Sequence, residues 1–338
     1  MKLLKSILAI AVITAMVSSS CTSDFSENIQ EKSQTSFNKN NITLSVKKSS
    51  AKNAGSLSIF QELNKKLAGK NYEIAQVEIY TAITEAADIH AASILPVPGA
   101  SSVDYRTGFR FIPNDARRDN RTNLTYVTVS EFATSANGIV SEEVFDAMYN
   151  IWENETNCNN VAIDKQAFDL ATDGLPSTIL SLNGGDPLGP IADHNVIGYV
   201  PAFIFEEIGA PPGVLAVNFS FAFLDEDGNR TDINNDGKFD TSHTETWFND
   251  SVNWSTDGAP GTVDINSVAL HEFGHSVGHG HSGTLLASFD ENGQFTGEFL
   301  QFSPTNVMNA SYIGIPKTDL SGDDNSIYCE NFSAWPYY

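Results

Sequence analysis

Four of the chain's seven histidines fall within eleven residues, in the stretch HEFGHSVGHGH at 271–281. Imidazole is the commonest metal ligand among side chains, and a carboxylate beside a metal is suited to moving protons. On a helix, positions i and i+4 share a face, so His271 and His275 can address one ion. Glu272 lies one residue along, close enough to reach a water on that ion. Gly278 lets the chain leave the helix through a left-handed residue without steric cost, and that turn can bring His281 round as a third nitrogen ligand. Three protein ligands with one open position is the coordination of catalytic zinc, whereas structural zinc is closed by four protein ligands. The pattern assigns no task to His279. The competing reading is a solvated histidine loop, which a pattern lying on an expected, glycine-closed helix disfavours.

A second stretch, DINNDGKFD at 232–240, places Asp232, Asn234, Asp236 and Asp240 at positions 1, 3, 5 and 9 of an EF-hand-type loop, with Gly237 at position 6. Oxygen ligands at that spacing suit Ca²⁺, and the crowded acids would otherwise repel one another. Position 12 is His243 instead of glutamate, and no helix pair flanks the loop. The competing reading is a plain Asp/Asn/Gly turn between strands.

These residues need a scaffold. DINSVALHEFGHSVG reads as a helix with Asp264 as N-cap. SEEVFDAMYNIWENE reads as another, with Ser141 as N-cap, Glu142 and Glu143 at the positive end, and Val144, Met148, Ile151 and Trp152 as its apolar face. SGDDNSIYCENF reads as a closing helix. LTYVTVS, NVAI, ADHNVIGYV, GVLAVNFSFAF and TETWFND read as strands. Strands, then the histidine helix, then a closing helix make an α+β layout. Upstream, a helical pattern (SLSIFQELNKKLAG) and strand-like runs (YEIAQVEIYTAI, YRTGFRFIP) form a small α+β segment at 56–120. The turn-rich PNDARRDNRTN separates it from residues 121–338.

From residue 121 onward the sequence resembles the metzincin metallopeptidases, most closely the matrixin group. HEFGHSVGHGH matches the extended zinc-binding motif. NLTY and the helix ending in NIW resemble the first strand and helix of matrixin catalytic domains. WFNDSVNW resembles the approach to the active-site helix, NVM the Met-turn, and LSGDD the start of the closing helix. The resemblance implies a twisted mixed sheet of about five strands with three helices. It implies Zn²⁺ on His271, His275 and His281, Glu272 as general base, Met308 beneath the metal, and Tyr312 in the wall of the S1′ pocket. The sequence departs from the family at Ala310, where a proline is usual. The gap from His281 to Met308 is also long, and SGTLLASFDENGQFTGEFLQFSPT reads as an inserted hairpin with ENGQ at its tip. The cysteine-containing latency motif of matrixin propeptides is absent.

The N-terminus reads as an export signal over residues 1–20: Lys2 and Lys5, an apolar run from Ile7 to Val17, then small serines. The serines end at Cys21, which resembles a lipoprotein signal in which that cysteine is lipidated. An ordinary cleaved signal is the alternative. Residues 21–55, rich in Ser, Asn, Lys and Thr, read as a flexible tether. The chain is therefore expected to be exported, either secreted or lipid-anchored at a bacterial outer membrane or cell surface. There, Cys158 and Cys329 are most simply one disulfide, with two free thiols as the alternative. In the astacin group, which is related to the matrixins, a disulfide joins comparable places.

The formal charge is −23, unevenly placed. Residues 122–338 hold 31 acids and four bases, while residues 21–121 hold 13 bases and 11 acids. So acidic a surface leaves little to neutralise phosphates, and nucleic acid is not an expected partner. With 41% hydrophobic residues, a packed core is expected. The leading functional expectation is a zinc-dependent endopeptidase acting on extracellular proteins or peptides, with the substrate extended along an exposed edge of GVLAVNF. The alternative is a calcium-stabilised surface binding or adhesion lipoprotein with a non-catalytic zinc site. The near-neutral segment at 56–118 is a candidate propeptide or folding aid.

Overall fold

The segment expected to stand apart at the N-terminus is woven into the same sheet as the strands around the histidines. The computed structural model describes residues 54–82, 92–94, 108–154, 158, 161–182, 190–282, 284–289 and 295–337. Helix α1 (Ala54–Lys66) leads into β1 (Tyr72–Ala82), and two short strands follow, β2 (Ala92–Ile94) and β3 (Phe109–Arg110). The five strands expected downstream are β4 (Leu124–Thr128), β5 (Ile163–Lys165), β6 (His194–Val200), β7 (Val214–Phe223) and β8 (Phe239–Asn249). They lie in the order β5-β4-β6-β8-β7, and β1 continues the row past β7 to reach β13 (Ser311–Tyr312). With β2 on β1 and β3 on β8, the sheet has nine strands rather than about five.

The sheet is mixed. β4, β5, β6 and β8 pair in parallel, β7 runs antiparallel to β8, and β1 runs antiparallel to β7. The expected free edge of GVLAVNF is therefore covered: from Tyr72↔Phe223 to Thr81↔Val214, β1 is hydrogen-bonded along it. YEIAQVEIYTA is a β-branched and aromatic run as long as β7 itself, and a bare strand edge recruits such a partner.

Seven helices are described: α1, α2 (Glu142–Asn154), α3 (Leu170–Asp173), α4 (Thr178–Ser181), α5 (Ala202–Glu207), α6 (Ile265–Ser276) and α7 (Gly322–Phe332). The helices α3 to α5 are four to six residues long, too short for a 3.6-residue period to show in the sequence. On α2 the buried face is Phe145, Met148, Tyr149 and Trp152, with Val144 and Ile151 half-buried at its border. The face turns that way because Tyr149 stacks on Phe273 of α6, centroids 4.2 Å apart, and Phe145 stacks on Phe248 of β8 at 5.1 Å. Helices α2 and α6 thus pack together over the sheet, and their shared core holds Trp152, Phe273, Met308 and Tyr328. Ser141 sits at the expected N-cap position of α2, and its hydroxyl meets that of Tyr199.

Two strand pairs stand outside the main sheet. β9 (Trp254–Ser255) and β10 (Val263–Asp264) lead into α6, and β11 (Thr284–Phe289) with β12 (Phe295–Phe302) forms the expected inserted hairpin. The tip at 291–294 lies outside the described residues, as do the signal, Cys21 and the tether up to residue 53. Cys158 and Cys329 are joined in a disulfide across a separation of 171 residues, tying the end of α2 to α7. Among the described residues, no helix is long and apolar enough to cross a membrane.

Candidate metal centre

Helix α6 begins as its sequence requires. The Asp264 carboxylate accepts the N–H groups of Asn266 and Ser267, at 3.4 and 3.0 Å. One turn apart on the buried face, His271 and His275 bring their Nε2 atoms to 3.1 Å. Gly278, at φ +89°, then turns the chain. A Cβ there would meet the Phe109 carbonyl oxygen at 2.8 Å, so β3 presses on the turn and only glycine fits. The turn delivers His281, and one ligand nitrogen from each of the three buried histidines lies within 4.8 Å of the others.

Each ring is held from behind. His271 Nδ1 donates to the Val307 carbonyl at 2.8 Å and His275 Nδ1 to the His279 carbonyl at 2.7 Å. A hydrogen on Nδ1 leaves Nε2 as the lone pair, which fixes the tautomer that binds a metal. His281 turns Nδ1 toward the Glu78 carboxylate, 3.7 Å away, and its buried Nε2 has no hydrogen-bond partner. Burial, aided by the neighbouring imidazoles, holds the pKa of His271 well below the ordinary histidine value. Burial likewise lowers His275 and His281 to about 4. All three are therefore neutral near pH 7, as ligands must be. An orphaned buried nitrogen on a ring clustered with two preset lone pairs fits a metal ion, and three imidazoles suit zinc, copper, iron or nickel alike.

Glu272 sits beside this cluster, fully buried, and neither carboxylate oxygen has a hydrogen-bond partner. Burial first, and then the charge of Glu78, hold its pKa well above the carboxylate range. A divalent cation in the histidine cradle would act in the opposite direction and favour the ionised form.

Met308 lies against α6 at Gly274, the residue before His275. A Cβ on Gly274 would collide with the Met308 sulfur and meet the Trp152 ring at 2.8 Å. The turn at Val307–Met308 is clamped from α7: the buried Asp324 carboxylate accepts the N–H groups of Val307 and Met308, at 2.9 and 3.1 Å, and also caps its own helix. Neither Gly274 nor Asp324 stood out in the sequence as a site residue, although S-x-x-D at 321–324 is a capping-box pattern. Asn218 of β7 is a third such residue. Its amide donates to Thr246, Ser276 and the Glu272 carbonyl, at 2.8, 2.9 and 3.3 Å, fastening the histidine helix to the sheet.

The remaining expected residues are placed as follows. His279 is outside the cluster: only its carbonyl serves, and its buried ring lies against Trp152 with both nitrogens unpaired. Tyr312 is buried with its hydroxyl accepting the Asp264 N–H at 3.2 Å, and its strand, β13, pairs in parallel with β1. The loop expected to hold Ca²⁺ is neutralised from within the chain. Arg110 pairs with Asp236 at 2.7 Å, and Arg117 reaches Asp240 at 2.8 Å. Asp232 accepts the N–H groups of Asp236 and Gly237, at 3.0 and 2.9 Å, and Asn234 donates to Asp236 at 2.9 Å. Arginines from the N-terminal third relieve the crowding that suggested calcium, so the arrangement does not call for that ion. Among the described residues, the histidine triad is the one cluster of metal-ligating side chains.

From β1, two further side chains reach the centre. The Tyr80 ring stacks on His271, centroids 3.7 Å apart, and Glu78 is buried beside His281. No family model matches the chain, and no curated protein matches it.

Proposed function

We propose that the chain is a zinc-dependent endopeptidase of the metzincin kind, with a matrixin-like catalytic region. The observation that supports it most is one juxtaposition: three neutral imidazoles, with one nitrogen from each gathered within 4.8 Å, stand beside a buried carboxylate, Glu272, that has no hydrogen-bond partner. Burying a carboxyl group without hydrogen bonds costs about 1–3 kcal/mol, more when it is ionised, and a metal-bound water would offset that cost. His271, His275 and His281 would hold the ion. Zn²⁺ in such a site supplies Lewis-acid polarisation of a carbonyl and acidifies water.

The rest falls to the protein. One Glu272 oxygen takes a proton as water oxygen bonds to the scissile carbonyl carbon. The same carboxyl then returns the proton to the amide nitrogen as the C–N bond breaks. The peptide would lie as an added strand on β7, beside the Tyr312 wall, once β1 is displaced. The test is cleavage of casein or a proteome-derived peptide library by the zinc-loaded chain. Loss of cleavage on chelation and in Glu272→Ala is expected, and cleavage that survives both removes this reading.

One observation favours a second reading. Because β1 fills the edge of β7, the centre as folded has no open strand slot, which suits a surface-anchored binding protein with a non-catalytic metal. Glu272 speaks against it, since a non-catalytic site has no use for an unpaired buried carboxylate. A zinc-loaded chain that cleaves no peptide even after β1 is removed would favour this alternative.

A further inference from the structure

His271 and His275 stand on α6, but His281 lies beyond its end, so its place depends on what holds the turn at Gly278. The main chain is gripped on both sides of that ligand. After it, the Ser282 N–H donates to the Met308 carbonyl at 2.8 Å. Before it, the Gly278 carbonyl accepts the side-chain amide of Asn331, from α7, at 3.1 Å. Asn331 is fully buried, and a Cβ on Gly278 would meet its Nδ2 at 2.9 Å, so the amide packs directly on the turn.

An asparagine amide can face either way, and Lys238 fixes this one. Its Nζ donates to Asn331 Oδ1 at 2.9 Å. An ammonium only donates and a carbonyl only accepts, so the oxygen must face Lys238 and the nitrogen Gly278. A cation on the amide oxygen also strengthens the amide's own donation. Lys238 is aimed in turn by the loop whose sequence suggested calcium. There Asn235 and Gly237 take left-handed backbone, at φ +56° and +83°, and the Asp236 carboxylate accepts the Lys238 N–H at 2.8 Å. Arg110 joins the same parts: it pairs with Asp236 at 2.7 Å and donates to the Glu330 carbonyl of α7 at 2.9 Å. Its neighbour Phe109 presses on the Gly278 turn from β3. Loop, strand and helix therefore converge on one glycine, three residues before a ligand.

We propose that Asn331 is a positioning residue for the third metal ligand and that Lys238, presented by the loop at 232–240, orients it. The acidic loop is then a buttress of the metal centre, built around a lysine. Loss of the ammonium frees the amide to turn its oxygen toward the Gly278 carbonyl, where two acceptors repel, and the turn that carries His281 loosens. The inference needs only a metal on the histidines, which both functional readings share, and not peptide hydrolysis.

Co²⁺ is the probe, because its visible absorption reports ligand geometry where Zn²⁺ is silent. The full chain, Lys238→Met, Asn331→Ala and the double variant are compared. Lys238→Met keeps the side chain's length and removes its charge. It should lower Co²⁺ affinity, read by chelator competition, about tenfold and shift the visible bands. Asn331→Ala should do at least as much. Adding Lys238→Met to it should lower affinity no further, since the lysine acts only through the amide. A general weakening of the fold would instead lower the melting temperature of the metal-free chain, leave the Co²⁺ spectrum alone and add up in the double variant. That pattern overturns the proposal. So do wild-type affinity and spectrum in Lys238→Met, a comparison that decides the matter even if Asn331→Ala fails to fold. A wild-type chain that takes up no Co²⁺ removes the metal centre, and with it both this proposal and the peptidase reading. The expected Co²⁺ pattern in a chain that cleaves no peptide keeps the proposal and removes the peptidase alone.

Discussion

At the scale of single residues, Glu272 and Gly274 are neighbours but one with opposite duties. Glu272→Gln should leave Zn²⁺ stoichiometry intact and lower kcat/KM on a fluorogenic peptide by about 10²–10⁴-fold, the usual worth of a general base. Gly274→Ala adds a methyl where Met308 and Trp152 already press on the helix. Urea denaturation should show a loss of about 1–3 kcal/mol, the cost of overpacking a filled core. Of the two positions, the place of Glu272 beside the histidines was legible in the sequence, because a histidine spacing matches the helical period. The second was not, since close approach to a glycine depends on what the rest of the chain packs there. The same limit hid Glu78: nothing in QVEIY says that a residue 203 positions ahead of His281 will lie beside it.

Among elements, α7 does the most for the centre while contributing no ligand. Asp324 binds the main chain of Val307 and Met308, and Val307 in turn orients His271. Asp324→Ala leaves two buried N–H groups unmatched, so a destabilisation of about 2–4 kcal/mol and weaker Zn²⁺ binding are expected from denaturation and chelator competition. The disulfide holds the same helix to α2. Replacing both cysteines by serine should cost about 2–4 kcal/mol in chemical denaturation, because the unfolded chain regains a loop of 171 residues. The long elements were legible. The alternation of LTYVTVS, the Asp264 cap and the closing helix each declare themselves locally. Which strands share a sheet is not a local property, so β1 read as part of a separate segment.

For the whole molecule, charge and protonation set the working range. The acidic excess of residues 122–338 is met at chosen points by arginines from before it. Arg118 and Arg121 both reach Asp193 at 2.9 Å, the first pair almost wholly buried. Three buried histidines outside the metal cluster resist protonation through burial: His194 lies well below the ordinary value, and His243 and His279 at about 3. The unfolded chain protonates them near pH 6.5, so stability falls as pH drops from about 6.5 toward 3. Burial raises Glu245 to about 8. Its protonated form belongs to the folded state, so stability also falls as pH rises from about 4.5 to 8. In the metal-free chain the three cluster histidines and Glu272 shift in the same directions, so between about 4.5 and 6.5 six histidines outweigh two glutamates. The melting temperature of the metal-free chain should therefore peak near pH 6.5, and Glu245→Gln should lessen the alkaline fall, leaving the part that Glu272 contributes.

The covering of β7 by β1 has a consequence for handling as well as for chemistry. Strip that strand away and the ten-residue margin of β7 presents bare amides and carbonyls at every other residue, with Phe219 losing the cover that Phe60 of α1 gives it. Such a margin invites a neighbouring molecule to zip on, so a shortened preparation should clump as it is concentrated, and a short extended peptide should keep it dispersed.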